Sequence, residues 1–264
     1  MRTHDAQQQS LPGIDSSPAT LLSPSALERY RHCPRLYRFL YVDGMWNRSR
    51  VTGTQSFGTT IHSVLREFFR LPVARRSLDR LLELFGRSWI REGYRNREER
   101  QSERERGAEA LRTWYERADI HAVPYATEVD LQASWGDVVL KGRLDRIDTD
   151  QQGGGLVVVD YKTARRPVSQ AAADVDEALT IYAALVERRL RRPVTRLVLD
   201  YVVAGAQVET ERPPRLLEER LGKVLETAAT LRADREFTPR PGPWCASCDL
   251  LGACPEGQRE ISPA

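Results

Sequence analysis

Lysine is nearly missing from this chain. Of its 40 Lys and Arg residues, only Lys141, Lys162 and Lys223 are lysine. Lysine is therefore not a generic surface charge here. A Lys placed beside an acid points to a need that a guanidinium cannot meet, for a compact point charge whose pKa can move. Long apolar runs are also missing. No stretch approaches the ~20 residues of a membrane-spanning helix, and the start MRTHDAQQQS lacks the apolar core of a signal peptide. A cytoplasmic protein with no membrane partner is predicted. There are only four cysteines, which in that compartment argues for metal or redox chemistry rather than disulfides. Net positive charge is scarce as well, at +3 with 29% of residues charged. Basic and acidic regions must then be segregated if the protein is to attract a polyanion. The 264 residues suffice for one domain with a sizeable core.

The strongest chemistry lies in KGRLDRIDTDQQGGGLVVVDYKTA, Lys141–Ala164. Two strands are predicted, Val138–Asp148 carrying Asp145 and Leu156–Lys162 ending in Asp160, Tyr161 and Lys162. Side chains alternate faces along a strand, so Asp160 and Lys162 share a side while Tyr161 points away. A carboxylate and an ammonium side by side, with a second acid on the neighbouring strand, suit a divalent-metal site with an adjacent cation. The plainer alternative is an exposed Asp–Lys pair at a strand end.

Residues 1–22 are polar and predict a disordered leader, and residues 23–264 a single domain. Ser23-Pro24-Ser25 opens a helix, with Leu27, Tyr30, Leu36, Tyr37 and Leu40 at helical spacing and a break or bend at Pro34, beside Cys33. Gly53–Leu71 predicts a Gly-rich turn feeding a helix whose buried face holds Ile61, Leu65, Phe68 and Phe69. Its GxxxxG spacing matches a phosphate-binding loop, but Thr59 stands where that loop needs Lys and no strand precedes it, which rules out nucleotide binding. His62 falls in the first turn of that helix, a position where a lone His is more often structural. Residues 75–118 are helical and charged, centred on RNREERQSERERG, a solvated face whose arginines could also touch phosphates. From Tyr125 the period becomes two, with a turn at Gly136-Asp137. A helix follows over Asp174–Arg191, then strands over Val194–Val203 and Gln207–Arg212, and a helix over Arg215–Arg232.

The tail FTPRPGPWCASCDLLGACPEG has too few apolar residues to fold unaided. Its Cys245-x2-Cys248-x5-Cys254, with Cys33 far away, supplies the staple. Four thiolates suit zinc or an iron–sulfur cluster. A zinc ribbon uses two local Cys pairs, so three clustered thiolates and one remote one fit a cubane better.

Together, SPSALERYRHCPRLYRF, FGTTIH, GRLDRID, VVVDYKT and CASCDLLGACP resemble the RecB-like, AddB-type iron–sulfur branch of the PD-(D/E)XK nucleases, over Ser23 to Pro255. That branch includes stand-alone RecB family exonucleases and the four-cysteine CRISPR-associated nuclease. The resemblance implies an α/β, restriction-endonuclease-like core: a mixed β-sheet flanked by helices, with a helical N-terminal region. A C-terminal module over 237–257 would bind a [4Fe–4S] cluster together with Cys33, through Cys33, Cys245, Cys248 and Cys254. His62 then looks like the family's metal-site histidine, Asp145 like the acid of GxxD, and Asp160 and Lys162 like the D-x-K pair. Tyr182 matches the tyrosine of Q-x-x-x-Y, although Ala178 occupies the Gln position with Glu177 beside it. Mg²⁺ or Mn²⁺ would be held by Asp145, Asp160 and His62, with the main chain at Tyr161 completing the shell. Lys162 would orient the attacking water or stabilise the transition state. The implied activity is exonucleolytic hydrolysis of single-stranded DNA or duplex ends, in DNA repair, recombination or CRISPR adaptation. Helicases or CRISPR adaptation proteins would be the protein partners. The alternative is a DNA-end-binding or processing subunit of a larger complex. A zinc-stabilised DNA binder without activity would leave Asp160 and Lys162 unexplained.

Overall fold

The computed structural model describes residues 21–48 and 51–262. Of the expected leader, residues 1–20 lie outside the described residues, whereas Leu21–Leu22 form a short strand, β1, with Leu22 fully buried. The remaining strands are β2 (Ala126–Trp135), β3 (Val138–Thr149), β4 (Leu156–Lys162), β5 (Val194–Tyr201) and β6 (Ala206–Thr210). They make one mixed six-stranded sheet in the order β1-β3-β4-β5-β6, with β2 also paired to β3. The β2–β3 hairpin turns at Gly136-Asp137, where Gly136 takes the left-handed φ of +59° that such a tight turn needs. β3 and β4 run antiparallel, β4 and β5 parallel, β5 and β6 antiparallel.

The helices are α1 (Pro24–His32), α2 (Pro34–Tyr37), α3 (Gly53–Arg70), α4 (Leu78–Ser88), α5 (Arg97–Arg117), α6 (Gln170–Asp174), α7 (Glu177–Leu190), α8 (Pro214–Ala233) and α9 (Pro255–Ile261). They cover both faces of the sheet. Leu27 of α1, Leu185 of α7 and Leu231 of α8 join Leu144, Leu156, Val158 and Leu197 in one core. Ile61 and Leu65 of α3, Phe85 of α4 and Trp114 of α5 join Val157, Val159, Tyr161 and Val198 in the other. β4 is thus sandwiched, which is why it reads as a continuous apolar run rather than an alternation. The mixed sheet flanked by helices matches the expected fold class.

Local physics explains the element boundaries. Ser23 caps α1 through its side chain, and Pro24 sits at the start, where its missing N–H costs nothing. Cys33 is extended and separates α1 from α2, as Pro34 dictates. The stretch at Gly53 is different from expectation. Thr52 and Gln55 form a capping box, so α3 begins at Gly53 itself and no Gly-rich turn precedes it. Gly53 is needed because a Cβ there would stand 2.7 Å from the Tyr94 ring. His62 consequently lies in the third turn of α3, not the first. The charged run forms α5, where Arg106–Glu103 and Arg112–Glu109 pair one turn apart and Arg95 in the preceding loop reaches Glu99. The tail has anchors besides its cysteines: the Phe237 ring stacks 6.0 Å from Tyr37, and Arg35 donates to the Phe237 carbonyl. Among the described residues no helix is long and apolar enough to cross a membrane.

Candidate active site

Strand pairing brings the acids together. The β3–β4 ladder pairs Arg146 with Val159, so the next step outward sets Asp145 beside Asp160. Asp145 bridges three elements: its Oδ2 accepts from the Tyr161 amide on β4 at 2.8 Å, and its Oδ1 lies 2.9 Å from His62 Nδ1 on α3. Asp160 is only 8% exposed. Lys162 Nζ stands 2.6 Å from Asp160 Oδ2, yet off the direction of a hydrogen bond, so that buried oxygen has no hydrogen-bond partner. His62, Asp145, Asp160 and Lys162 therefore converge from α3, β3 and β4.

The charges act on one another strongly. Burial pushes the Asp160 carboxyl above its ordinary range, Lys162 opposes this, and neighbouring Asp145 adds to it. Burial works against a charged Lys162, but Asp160 outweighs it, with Asp176 and Asp145 helping, so the ammonium is held protonated. Lys162 thus offers a fixed compact cation rather than a base. For His62, burial is outweighed by the hydrogen bond to Asp145 and by the charges of Asp145 and Asp160, which raises its pKa.

Tyr182 also reaches the site, though it hydrogen-bonds to none of these groups. Burial drives its phenol pKa up, and Asp160, Asp145 and Asp176 add to that. Its ring occupies the space above β3 at Gly142, where a Cβ would stand 2.8 Å from the ring. Gly142→Ala should accordingly cost about 1–3 kcal/mol through overpacking and misplace Tyr182. Thermal unfolding checks it, and an unchanged melting temperature would disprove the close fit. Tyr161 splits its roles: its amide faces Asp145, whereas its side chain enters the core, accepts from Arg146 at 3.0 Å and meets the His62 ring edge-on at 6.2 Å.

Three neighbours were not singled out from the sequence. Glu128 and Asp145 fall between the ladder pairs Thr127–Arg146 and Val129–Leu144. Glu128 has a left-handed φ of +48°, a costly conformation for a non-glycine residue. It is tied to Arg66, one turn beyond His62 on α3. Asp176 caps α7, accepting from the Leu179 amide at 2.8 Å, and adds negative charge near Lys162. The ATEVDL alternation carries no trace of the Glu128 backbone, and the Glu128–Arg66 pair spans 62 residues, so no local signal marks either.

The donor set suits a hard divalent cation, which prefers carboxylate oxygens. A buried carboxylate oxygen without a hydrogen bond, beside a second carboxylate, is the kind of group such an ion would satisfy. As the side chains stand, no group of three or more His, Cys, Asp or Glu closes into a metal-holding shell among the described residues. A concavity of about 1370 Å³ lies elsewhere, toward the start of β4. Two of its lining arginines are ion-paired, Arg117 with Asp200 and Arg146 with Asp148.

The four cysteines form no disulfide and are each partly exposed. Cys33, Cys245, Cys248 and Cys254 line one cavity of about 380 Å³ between α1 and the tail. Gly257 Nα donates to Cys254 Sγ at 3.4 Å, and a Cβ on Gly257 would lie 3.5 Å from both Cys245 and Cys254 sulfurs. Burial raises the Cys248 thiol, and the other three cysteines contribute.

Comparison with known proteins shows the family and the fold. A crystal structure of a "Putative exonuclease" from Eubacterium rectale is similar over 97% of this chain and 99% of its own, with TM-score 0.53 and 12% identity, a likeness of fold alone. A second solved structure, SSO0001, is 18% identical over 89% of this chain and 86% of its own, but its TM-score of 0.41 is too low to carry an argument. No curated protein matches. Residues 21–255, nearly the whole described chain, match the family described as the PD-(D/E)XK nuclease superfamily, and the protein belongs to that superfamily.

Proposed function

We propose that this protein is a divalent-metal-dependent deoxyribonuclease of the RecB-like, AddB-type branch, cutting phosphodiester bonds exonucleolytically in single-stranded DNA or at duplex ends. The observation that carries this reading is the convergence of Asp145, Asp160 and Lys162 at the ends of adjacent strands, with His62 bound to Asp145. Asp145, Asp160 and His62, with the Tyr161 main chain, would hold Mg²⁺ or Mn²⁺. When bound, the metal supplies a water of lowered pKa and neutralises charge on the scissile phosphate. Lys162, held as an ammonium, orients the attacking water and stabilises the extra negative charge of the transition state. Asp145 fixes the His62 ring, and Tyr182 closes one side of the site over Gly142. DNA repair, recombination or CRISPR adaptation would be the setting. The Arg-rich surface would hold the backbone without sequence preference and with strong salt dependence.

Digestion of end-labelled single-stranded and duplex DNA with Mg²⁺, Mn²⁺ or EDTA tests the reading. Metal-dependent shortening from one end is expected. Folded protein that cuts neither substrate with either metal overturns it and leaves the end-binding subunit. In the same assay Lys162→Arg should be nearly as damaging as Lys162→Ala, because a wide planar guanidinium cannot replace a compact ammonium beside a bound water. Substantial activity in the Arg variant would reduce Lys162 to a generic charge.

The same reading assigns Cys33, Cys245, Cys248 and Cys254 to a [4Fe–4S] cluster joining α1 to the tail. The support is four unbridged thiols on one cavity wall, with Gly257 leaving room beside two sulfurs. Anaerobically purified protein should be brown and carry about four iron atoms per chain. A colourless, zinc-containing sample would replace the cluster by zinc.

A further inference from the structure

Two tryptophans stand out of the surface at the mouth of the cysteine cavity. Trp46 is 45% exposed and Trp244 43% exposed, and both line that cavity. Each is braced against consecutive turns of α1. The Arg29 guanidinium lies 5.3 Å from the Trp46 ring centroid, and the His32 ring lies 5.2 Å from that of Trp244. Residues three apart on a helix are neighbours about 5–6 Å apart at Cβ. Trp46 is further held edge-on by Tyr41 at 4.9 Å. The rings are therefore held in place with close to half of each exposed, and Trp244 is further fixed by its Nε1 donating to the Arg240 carbonyl at 3.1 Å. The nearby charge is basic. Arg29 donates to the Tyr41 hydroxyl and Arg35 to the Phe237 carbonyl, and Arg35 lies near enough to Glu256 to help lower its carboxyl pKa. The lining holds one carboxylate, Asp249, which has a partner.

This patch meets the active site's helix α3 at one residue. Gln55, in the first turn of α3, lines the same cavity. His62 is seven residues further along α3, hence on the same helix face and about 10 Å away, the rise of about three stacked nucleotides. Braced aromatic rings beside arginines are the elements with which proteins hold single strands without reading their sequence. We propose that Trp46 and Trp244, with Arg29 and Arg35, form a base-stacking platform for single-stranded DNA, which delivers the strand along α3 to Asp145 and Asp160. The proposal rests on the nuclease reading and deepens it, by naming where unpaired bases are held before cleavage.

The test is the affinity of anaerobically purified protein for a labelled 12-nucleotide oligothymidylate and for a blunt duplex of equal length. Both are measured in EDTA by fluorescence anisotropy, so that nothing is cut. Trp46→Ala and Trp244→Ala should each weaken oligothymidylate binding by about 5- to 150-fold, the range for losing one stacked base. Trp46→Phe, which keeps a stacking face, should retain most of the affinity, and duplex binding should change little. Iron content and melting temperature accompany each variant. Trp46 is the decisive site, since it is not adjacent to a cysteine. Wild-type affinity for oligothymidylate in both Ala variants overturns the platform, as does an equal loss on duplex and single strand. Cleavage by the wild type with Mn²⁺ is scored separately. A wild type that cuts DNA while its Trp variants bind normally sinks the platform alone, whereas one that neither binds nor cuts sinks the nuclease reading with it.

Discussion

Asp160→Asn is expected to abolish DNA cleavage and to leave the protein at least as stable as the wild type. The catalytic loss follows from removing a carboxylate that would hold the metal. Metal stabilisation of transition-state charge is worth several kcal/mol, or about three orders of magnitude in rate or more. The stability gain follows from burial. Asp160 is 8% exposed, and its Oδ2 has no hydrogen-bond partner. Burial, with Asp145 beside it, raises its pKa in the fold despite Lys162. An acid whose folded pKa lies above its unfolded value favours the fold while protonated. That contribution is present below the unfolded pKa and is lost as pH rises through the folded one. The ionised group at neutral pH is therefore a net burden, and its neutral isostere removes it. Lys162 loses in the variant the acid that chiefly holds its ammonium charged, a cost limited because its side chain is 38% exposed and can take up water. Melting curves from pH 4 to 8 should show the advantage of the variant growing toward neutral pH. Wild-type cleavage by Asp160→Asn would show that the metal site lies elsewhere, and a large fall in melting temperature would show that Asp160 is structural.

Cys33→Ser is expected to release iron and lower the melting temperature, with loss of cleavage following loss of structure. Cys33 is the only one of the four cysteines outside the tail. It sits extended between α1 and α2, so its sulfur is presented by a Pro-enforced break rather than by a helix face. Where a metal site is not preformed, its binding energy is folding energy. With about 2–4 °C per kcal/mol for a domain of this size, a fall of about 5–10 °C is anticipated. The tail should not be released as a whole. Phe237 remains packed on Tyr30 and Tyr37, and Arg240 remains bound to the Arg31 carbonyl. Limited proteolysis should accordingly cut the variant beyond Arg240 before it cuts within Phe237–Arg240. Full iron occupancy with unchanged melting would remove Cys33 from the ligand set.

Some of the site was readable because its information is local. The placement of Asp160 and Lys162 on one side of β4, with Tyr161 on the other, needs only the two-residue period of a strand. The break at Cys33 needs only Pro34. Where expectation failed, composition masked a local cap or a distant contact was responsible. GTQSFG reads as a turn from composition, yet Thr52 and Gln55 cap a helix there and the Tyr94 ring requires the glycine. The tail reads as held by cysteines alone, because the docking of Phe237 on Tyr37 spans 200 residues.

The sequence by itself determined the alternating strand chemistry, the cap at Ser23, the break at Pro34 and the family to which the chain belongs. Each is written in residue types at short spacing, where backbone stereochemistry and hydrogen bonding act over a few residues. Only the tertiary structure decided which groups meet: the β3–β4 register that sets Asp145 beside Asp160, the turn of α3 that carries His62 to Asp145, the Glu128–Arg66 pair behind it, and the two tryptophans braced on α1. Such contacts depend on packing between elements far apart in the chain, and pairwise spacing along the sequence carries no record of that packing.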